Sequence, residues 1–514
     1  MEKKIIGVLV CMLLIAAAVP AVQSLNDTMR VSTILNHIDQ PCETVGWNEM
    51  QKLLASDGST DDLFGVSIAL EGNTLLIGAS SDDDKGSNAG SVYVFNSNGT
   101  AWIQQEKLYA SDFEAEDTFG YSVYLDGDYA FIGAPMDDDN GKDSGAVYVF
   151  IFFQGSWRQQ QKLLASDGTS EDHFGYSVSV SGDTGLIGAP DADIGGAAYV
   201  FTRTTDWKQQ AKLFALDGTV KDGFGRSVSI DDDTAFIGAF QDDEKGEDSG
   251  SAYVFIRDGQ TWSQQAKLLA SDGATGDYFG EAVSLSGNTA VIGAPRDDDN
   301  GVDSGSAYVF IHDGATWSQQ QKLKASTTSG YFGASISQDG DYALIGAPQS
   351  EATYVFLRTG TTWPEEAKLN ASDGGGSFNH FGRSVSISGE IAAIGAPFDD
   401  DLGSHSGSVY MFESQYATYD LEFEINGGLG VKLKITNIGT VNATGVYWQI
   451  HIEGGKLGRI NKTVDGTVDI LIGKTKTVRT GILFGLGTIS ISARVIHEEK
   501  TAEGTQFIIL SMVK

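Results

Sequence analysis

Residues 279–323 read FGEAVSLSGNTAVIGAPRDDDNGVDSGSAYVFIHDGATWSQQQKL, and this stretch decides the fold. It contains four apolar or alternating runs, Phe279 to Leu285, Thr289 to Ala294, Ser306 to Ile311 and Thr316 to Leu323. Gly, Asp, Asn and Ser separate the runs, and the first two are joined by a turn short enough for a tight hairpin. Because short alternating runs between turn residues are typical of β-strands, the stretch predicts four antiparallel strands.

The same pattern occurs seven times along the chain. Each copy begins with a Phe-Gly pair, at Phe64, Phe119, Phe174, Phe224, Phe279, Phe332 and Phe381. An Ile-Gly-Ala triplet follows, starting at Ile77, Ile132, Ile187, Ile237, Ile292, Ile345 and Ile394. A Tyr-Val-Phe or Tyr-Met-Phe strand comes next, and a segment that ends in Lys-Leu begins at Trp47, Trp102, Trp157, Trp207, Trp262, Trp317 and Trp363. The repeat predicts an all-β fold, a seven-bladed β-propeller of four-stranded antiparallel blades.

The phase of the repeat predicts how the ring closes. The first Trp-led strand, residues 47–54, precedes the first Phe-Gly strand, whereas the last copy stops at Phe412 without one. The seventh blade therefore lacks an outer strand that the N-terminal segment can supply. Such a closure removes an exposed strand edge.

These motifs resemble the FG-GAP repeat family, whose propeller also forms the head of integrin α subunits. The resemblance covers residues 47–412 and implies an extracellular propeller used for adhesion or ligand binding. Integrin-type repeats carry a calcium loop between Phe-Gly and Gly-Ala-Pro. Here that interval is a short hairpin, as in Leu125-Asp126-Gly127-Asp128, so the resemblance is to the microbial branch without this loop, and the integrin calcium sites do not carry over.

The flanking segments differ from the repeats. Residues 1–24 have a basic start, an apolar run and small residues, which predicts a secretory signal peptide, with residues 25–46 as a lead segment. Residues 413–514 alternate apolar and polar positions, which predicts a small immunoglobulin-like β-sandwich. We expect a mature chain without an integral membrane span, secreted or held at the cell surface, and Cys42 would then have no partner for an internal disulfide.

The charge limits the partners. The formal net charge is −35, and the acids are concentrated before Phe412. Nucleic acid and anionic membranes would be repelled, so we expect an extracellular protein or glycan ligand and no nucleic acid. Glycosylation is a further expectation if the host modifies exported proteins, because sequons occur at Asn26, Asn98, Asn370, Asn442 and Asn461.

Acidic loops recur after the Gly-Ala-Pro strands, and a second set links each Trp-led strand to the next inner strand. Strand counting predicts that both sets lie on one face, with a gap near blades three and six. Calcium suits such oxygen ligands, and the candidate ligands are Asp82, Asp84, Asp137, Asp139, Asp143, Asp242, Glu244, Asp248, Asp297, Asp299, Asp303, Asp399 and Asp401. The alternative is that these acids are solvated turn residues.

The sequence shows no nucleophile elbow, phosphate loop or dinucleotide fingerprint, and its His residues have no ligand spacing. We therefore expect a non-catalytic binding or adhesion scaffold that presents an acidic face. Two alternatives stay open, an extracellular polysaccharide hydrolase or lyase and a structural protein of the cell envelope. Paired acids for glycoside hydrolysis cannot be selected among so many carboxylates.

Overall fold

The computed structural model describes residues 28–29, 44–327, 330–373, 378–416, 421–426, 432–437, 443–454, 460–470, 474–479, 486–495 and 498–508. The predicted signal peptide and Cys42 lie outside these residues. The chain divides into two compact units, one of residues 46–415 and the other of residues 1–45 with 416–514.

The first strand, β1, belongs to the second unit, and the next 28 described strands build the repeat unit. They are β1 (Thr28–Met29), β2 (Thr44–Leu53), β3 (Ser67–Glu71), β4 (Thr74–Ala79), β5 (Ser91–Ser97), β6 (Trp102–Leu108), β7 (Ser122–Asp126), β8 (Tyr129–Ala134), β9 (Ala146–Phe153), β10 (Ser156–Leu163), β11 (Ser177–Ser181), β12 (Thr184–Ala189), β13 (Ala197–Arg203), β14 (Trp207–Leu213), β15 (Phe224–Asp231), β16 (Thr234–Ala239), β17 (Ser251–Asp258), β18 (Thr261–Leu268), β19 (Val283–Ser286), β20 (Thr289–Ala294), β21 (Ser306–His312), β22 (Trp317–Leu323), β23 (Ser335–Asp339), β24 (Tyr342–Ala347), β25 (Ala352–Leu357), β26 (Glu365–Leu369), β27 (Ser384–Ser388), β28 (Ile391–Ala396) and β29 (Ser408–Tyr416). A 3-10 turn, Pro348–Ser350, lies between β24 and β25.

These strands form seven four-stranded antiparallel sheets, which confirms the predicted seven-bladed propeller. Six blades are consecutive runs of four strands, from β3-β4-β5-β6 to β23-β24-β25-β26. The seventh has the order β2-β29-β28-β27, so its outer strand comes from the N-terminal side of the repeats. Trp47 of β2 packs in one cluster with Leu344 and Val355 of blade six and Tyr410 of blade seven. The ring is thereby closed with no blade left three-stranded.

The Phe of each Phe-Gly pair is a core residue between blades. Phe64 is fully buried in a cluster that holds Leu75 and Tyr93 of blade one and Val409 of blade seven. Its ring meets the Tyr93 ring edge-on, with centroids 5.2 Å apart. Aromatic pairs of this geometry add stability beyond the area they bury. The phenylalanines of the seven Phe-Gly pairs are all buried, so they serve as packing residues.

Glycine is required where neighbouring blades touch. A Cβ on Gly78, in the Ile-Gly-Ala triplet of blade one, would lie 2.0 Å from the carbonyl oxygen of Gly120 in blade two. Gly120 itself has φ of +91°, a conformation that side chains disfavour. The Phe-Gly and Ile-Gly-Ala motifs are therefore two sides of one backbone contact between blades.

The second unit contains two four-stranded antiparallel sheets, β1-β30-β31-β34 and β33-β32-β35-β36. Its remaining strands are β30 (Leu421–Asn426), β31 (Lys432–Asn437), β32 (Ala443–Gly454), β33 (Ile460–Ile470), β34 (Thr475–Arg479), β35 (Leu486–Val495) and β36 (Glu498–Ile508). Thr28 pairs with Glu424, so part of the predicted lead segment is a strand of this unit. The described elements of this unit are all β-strands, as its alternating sequence predicts.

Candidate functional site

The two sets of acidic loops meet around a lysine in blade one. Lys107 of β6 places its Nζ 2.7 Å from Oδ2 of Asp82 and 2.7 Å from Oδ2 of Asp84, both in the loop after β4. Asp57, from the loop that enters the blade, lies 2.9 Å from the same nitrogen. Because both loops contribute to one cluster, they lie on the same face, as strand counting predicts.

The cluster recurs with lysine at its centre, and we call each instance a lysine–carboxylate cluster. Nitrogen–oxygen distances range from 2.6 to 3.1 Å in the following sets: Lys162 with Asp112, Asp137 and Asp139; Lys267 with Asp217, Asp242 and Glu244; Lys322 with Asp272, Asp297 and Asp299; and Lys52 with Asp373, Asp399 and Asp401. Lys52 lies on β2, so the strand that closes the ring also completes the cluster of blade seven.

One carboxylate in each cluster is buried and fully hydrogen-bonded. Asp82 is 2 % exposed, and its Oδ2 accepts hydrogen bonds from the Ser91 and Tyr93 hydroxyls at 3.0 and 2.9 Å. Its Oδ1 accepts the backbone N–H of Asp84 at 3.0 Å. A buried carboxylate is tolerated only when it is paired and its lone pairs are satisfied, and Lys107 supplies the positive charge here.

The pKa values follow from this arrangement. The hydrogen bond from Lys107 lowers the pKa of Asp84, and hydrogen bonds from Lys322 and Lys324 lower the pKa of Asp299 to about 2. Burial acts to lower the pKa of Lys107, but its hydrogen bonds to Asp82 and Asp84 outweigh burial and raise it. Lys107 therefore stays protonated, and Asp84 and Asp299 stay ionised, at neutral pH.

Another acid lies just behind three of the clusters. Asp62, Asp117 and Asp277 are buried, and burial raises the pKa of each to about 6. The backbone N–H of Ser59 donates to Asp62 at 2.6 Å and partly offsets that cost. These acids therefore titrate closer to neutrality than ordinary carboxylates do.

The middle acid of each Asp triplet caps its own loop. Oδ1 of Asp138 accepts the backbone N–H of Asp143 at 2.7 Å, and Asp143 has φ of +53°. The same bond joins Asp243 to the N–H of Asp248 at 2.8 Å and Asp298 to the N–H of Asp303 at 2.7 Å. Asp143, Asp248 and Asp303 are turn residues at these positions, and the carboxylate of Asp143 pairs with Lys142.

The other ten metal candidates lie in the clusters in pairs, as the first and third acid of each loop. In blade five, oxygens of Asp272, Asp297 and Asp299 lie within 4.8 Å of one another, a spacing that suits a hard cation. Nζ of Lys322 lies 2.7 to 2.8 Å from all three residues. A calcium ion and this ammonium group compete for the same oxygens, so the metal fits only if the lysine leaves.

Blades three and six depart from the pattern. In blade three, Lys212 contacts Asp167 and Asp193, at 2.6 and 2.7 Å. In the described part of blade six, Lys368 has no carboxylate within 4 Å, and its Nζ lies 3.3 Å from the Thr327 hydroxyl. The predicted gap in the acidic face is thus complete at blade six and partial at blade three.

Sequence reasoning missed the lysines and tyrosines of these clusters. The lysine stands five residues after each motif Trp, and Tyr93 and its counterparts begin the Tyr-Val-Phe strands. Both recur in all seven copies, so their register against the acidic loops was a readable signal. Tyr93 and Lys107 are direct partners across β5 and β6, so the two side chains reach the acidic loop from neighbouring strands.

The sequons fall in different places. Asn98 and Asn370 are exposed, Asn26 and Asn442 lie outside the described residues, and Asn461 is on β33, where only the backbone is described. Oδ1 of Asn98 accepts the Thr100 hydroxyl at 2.8 Å. Glycosylation stays a prediction.

The fold and its repeated clusters define the class of protein, a seven-bladed β-propeller with a lysine–carboxylate face. A family model described as FG-GAP repeat matches residues 47–95, 102–150, 157–201, 207–255, 262–310, 317–356 and 363–412, which is more than half of the chain. The chain belongs to the FG-GAP repeat family, and the resemblance seen in the sequence is confirmed.

Solved structures show more distant likeness. The WD40 domain of coronin from Toxoplasma gondii has a TM-score of 0.42 and 8% identity, covering 73% of this chain and 87% of that one. A putative 6-phosphogluconolactonase from Bacteroides uniformis has a TM-score of 0.44 and 13% identity, covering 79% of this chain and 99% of that one. One from Bacteroides fragilis has a TM-score of 0.44 and 11% identity, covering 60% and 84%. No functional argument follows from similarity at this level.

Within the described residues, no helix has the length and apolar character needed to cross a membrane.

Proposed function

We propose that the chain is an exported, non-catalytic binding or adhesion scaffold that presents the acidic face of its propeller to an extracellular protein or glycan. One observation carries the proposal. In five blades, the outermost carboxylate of the lysine–carboxylate cluster is about half exposed on the same face; these residues are Asp84, Asp139, Glu244, Asp299 and Asp401.

The charge of this face is rigidly held and negative. Each of these five clusters sets three carboxylates against the ammonium of its central lysine, and the buried carboxylate anchors the loop to the blade. Groups that are fixed before binding lose little entropy on association. A face of one charge sign also accelerates encounter with partners of the opposite sign. A cationic patch on an extracellular protein, or a glycan bearing amino groups, is the complementary partner.

Calcium stabilisation is a separate proposal for the same loops, drawn from their oxygen ligands. The lysine positions weigh against it, because an ion would have to displace a partly buried ammonium that already has up to three carboxylate partners. We infer that the protein's own lysines supply the positive charge that calcium would otherwise bring.

The second unit is proposed as a spacer or interaction module. Its two four-stranded antiparallel sheets suit the immunoglobulin-like sandwich that the sequence predicts. A role in spacing the propeller from a surface would agree with export.

The test is a binding screen of the mature chain against extracellular proteins and glycans at 0.15 M salt. The face variant is Asp84→Asn, Asp139→Asn, Asp299→Asn; the matched control, Asp128→Asn, Asp341→Asn, Glu390→Gln, removes the same charge from the hairpin face. We expect at least one bound partner whose affinity falls about tenfold in the face variant and not in the control. Equal loss in both variants, absence of any partner, or cleavage of the bound polymer would contradict the proposal.

A further inference from the structure

A second kind of site lies inside the ring of acidic loops. Residues from blades four to seven line a cavity of about 520 Å³ where the inner strands begin. Phe240, Arg296 and Phe398 belong to its lining, and each stands within two residues of a cluster acid, Asp242, Asp297 or Asp399. The cavity therefore opens on the same face as the lysine–carboxylate clusters.

Its charge is opposite to that of the chain. The lining includes Arg226, Arg296 and Arg383 against a single acid, Glu281, which gives 3 − 1 = +2 with His380 neutral. The whole chain has a net charge of −35. These arginines occupy positions where the repeats differ from one another: the residue after Phe-Gly is Val66 in blade one and Tyr121 in blade two. The repeat itself does not require them.

Two of the arginines have no carboxylate partner among the residues that the structure describes. Nη2 of Arg226 pairs with Oε1 of Glu281 at 2.8 Å. Within the described part of the chain, Arg296 and Arg383 have no acid within 4 Å, and both are exposed to the cavity mouth. The chain has many acids, so guanidinium groups without an acidic partner are unusual in it. Two such groups in one concave site are available to bind an anion.

Two aromatic rings lie against Arg296. The guanidinium of Arg296 lies 4.4 Å from the centroid of the Tyr278 ring and 5.8 Å from that of Tyr331. When aromatic faces cover the flat side of a guanidinium, its N–H edge stays free for a planar, two-pronged acceptor. A carboxylate has that shape. On the other side of the cavity, the rings of His380 and Phe398 are 4.6 Å apart.

We propose that this cavity binds the carboxylate of a uronic-acid sugar, with Arg296 and Arg383 holding the carboxylate and the aromatic side chains packing against the sugar ring. The volume suits one or two sugar units. Gln349, exposed at the rim, offers an amide for sugar hydroxyls. The inference rests on the proposed binding function and places a ligand inside the acidic ring rather than on it.

The experiment is isothermal titration calorimetry of the full chain with α-1,4-linked trigalacturonate, the neutral α-1,4-linked galactotriose, and glutarate as a carboxylate without a ring. We expect trigalacturonate to bind at least tenfold more tightly than either comparison ligand, with affinity falling as salt rises. The inference would be overturned if galactotriose or glutarate bound as tightly as trigalacturonate. It would also be overturned if trigalacturonate at about 10 mM did not bind.

Variants separate the site from the fold. Arg296→Gln or Arg383→Gln should each weaken trigalacturonate at least tenfold, while Arg296→Lys should weaken it less because it keeps the charge but not the fork. Arg158→Gln, at an exposed arginine on β10, is the control and should change nothing. Loss in the control as well would overturn the site. If the binding screen finds a partner and trigalacturonate does not bind, the inference fails and the scaffold function stands.

Discussion

Blades five and six have the same strands and different faces. In both blades the Phe-Gly ring lies 5.4 Å from the Tyr ring, Phe279 against Tyr308 and Phe332 against Tyr354. Lys322 of blade five has three carboxylate partners, whereas Lys368 of blade six contacts the Thr327 hydroxyl. The blade thus forms without the acids, so the aromatic core determines the fold and the ion cluster is added to one face.

The largest expected effect is the loss of stability when Lys322 of blade five is removed, compared with removal of Lys368 of blade six. Lys322→Met leaves Asp297, which is 3 % exposed, without its positive partner. An unpaired buried carboxylate costs about 3–5 kcal/mol, so we expect the free energy of unfolding to fall by roughly that amount. Lys368→Met should lower the free energy of unfolding by less than about 1 kcal/mol, because it leaves no buried charge without a partner. Chemical denaturation followed by tryptophan fluorescence measures both.

Lys142→Met is the control for this pair. Its side chain is 73% exposed, and its ion pair among the described residues is with Asp143. We therefore expect no measurable change in the free energy of unfolding. A loss in Lys368→Met as large as that in Lys322→Met would show that the lysines matter for packing rather than for charge.

The same comparison shows what the sequence could and could not predict. Phe-Gly, Ile-Gly-Ala and Tyr-Val-Phe predicted seven blades because these residues fix a local strand pattern and a core that recur in every copy. Strand counting then placed both acidic loops on one face. The partners of Asp297 could not be read in the same way, because Tyr308 and Lys322 lie on two later strands and reach Asp297 only after the blade has folded.

The pocket inside the ring was missed for a different reason. Arg226, Arg296 and Arg383 belong to three blades and stand at positions that carry no motif. The motifs consist of positions that all copies share, so they do not include these arginines. A ligand site can lie where one copy differs from the others.

The pH dependence of stability offers a second test of the difference between blades five and six. Burial raises the pKa of Asp277 in blade five to about 6, above its unfolded value of about 3.9, and blade six has Gly330 at the matching position. Between these values the folded state binds more protons, so stability from this group is lost as pH rises from 4 to 6. Asp277→Asn should therefore raise the unfolding free energy by up to about 3 kcal/mol at pH 7 and not at pH 4. An equal change at both pH values would contradict the assignment.

The smallest effect is expected from building a carboxylate into blade six. Thr327 lies 2.8 Å from the Tyr354 hydroxyl, much as Asp272 lies 3.0 Å from that of Tyr308. Thr327→Asp should pair with Lys368 and add at most about 1 kcal/mol at low salt, falling toward zero at 1 M salt. Destabilisation at low salt would show that blade six cannot accept the cluster.

Thermal unfolding with calcium or with chelator, compared between the unmodified chain and Lys322→Met, tests the central claim most directly. If the lysine occupies the place of a cation, the midpoint of the unmodified chain is the same in both buffers. The midpoint of Lys322→Met is lower and is partly restored by calcium, because Asp272, Asp297 and Asp299 are then open to the ion. A midpoint that rises with calcium in the unmodified chain would contradict the account.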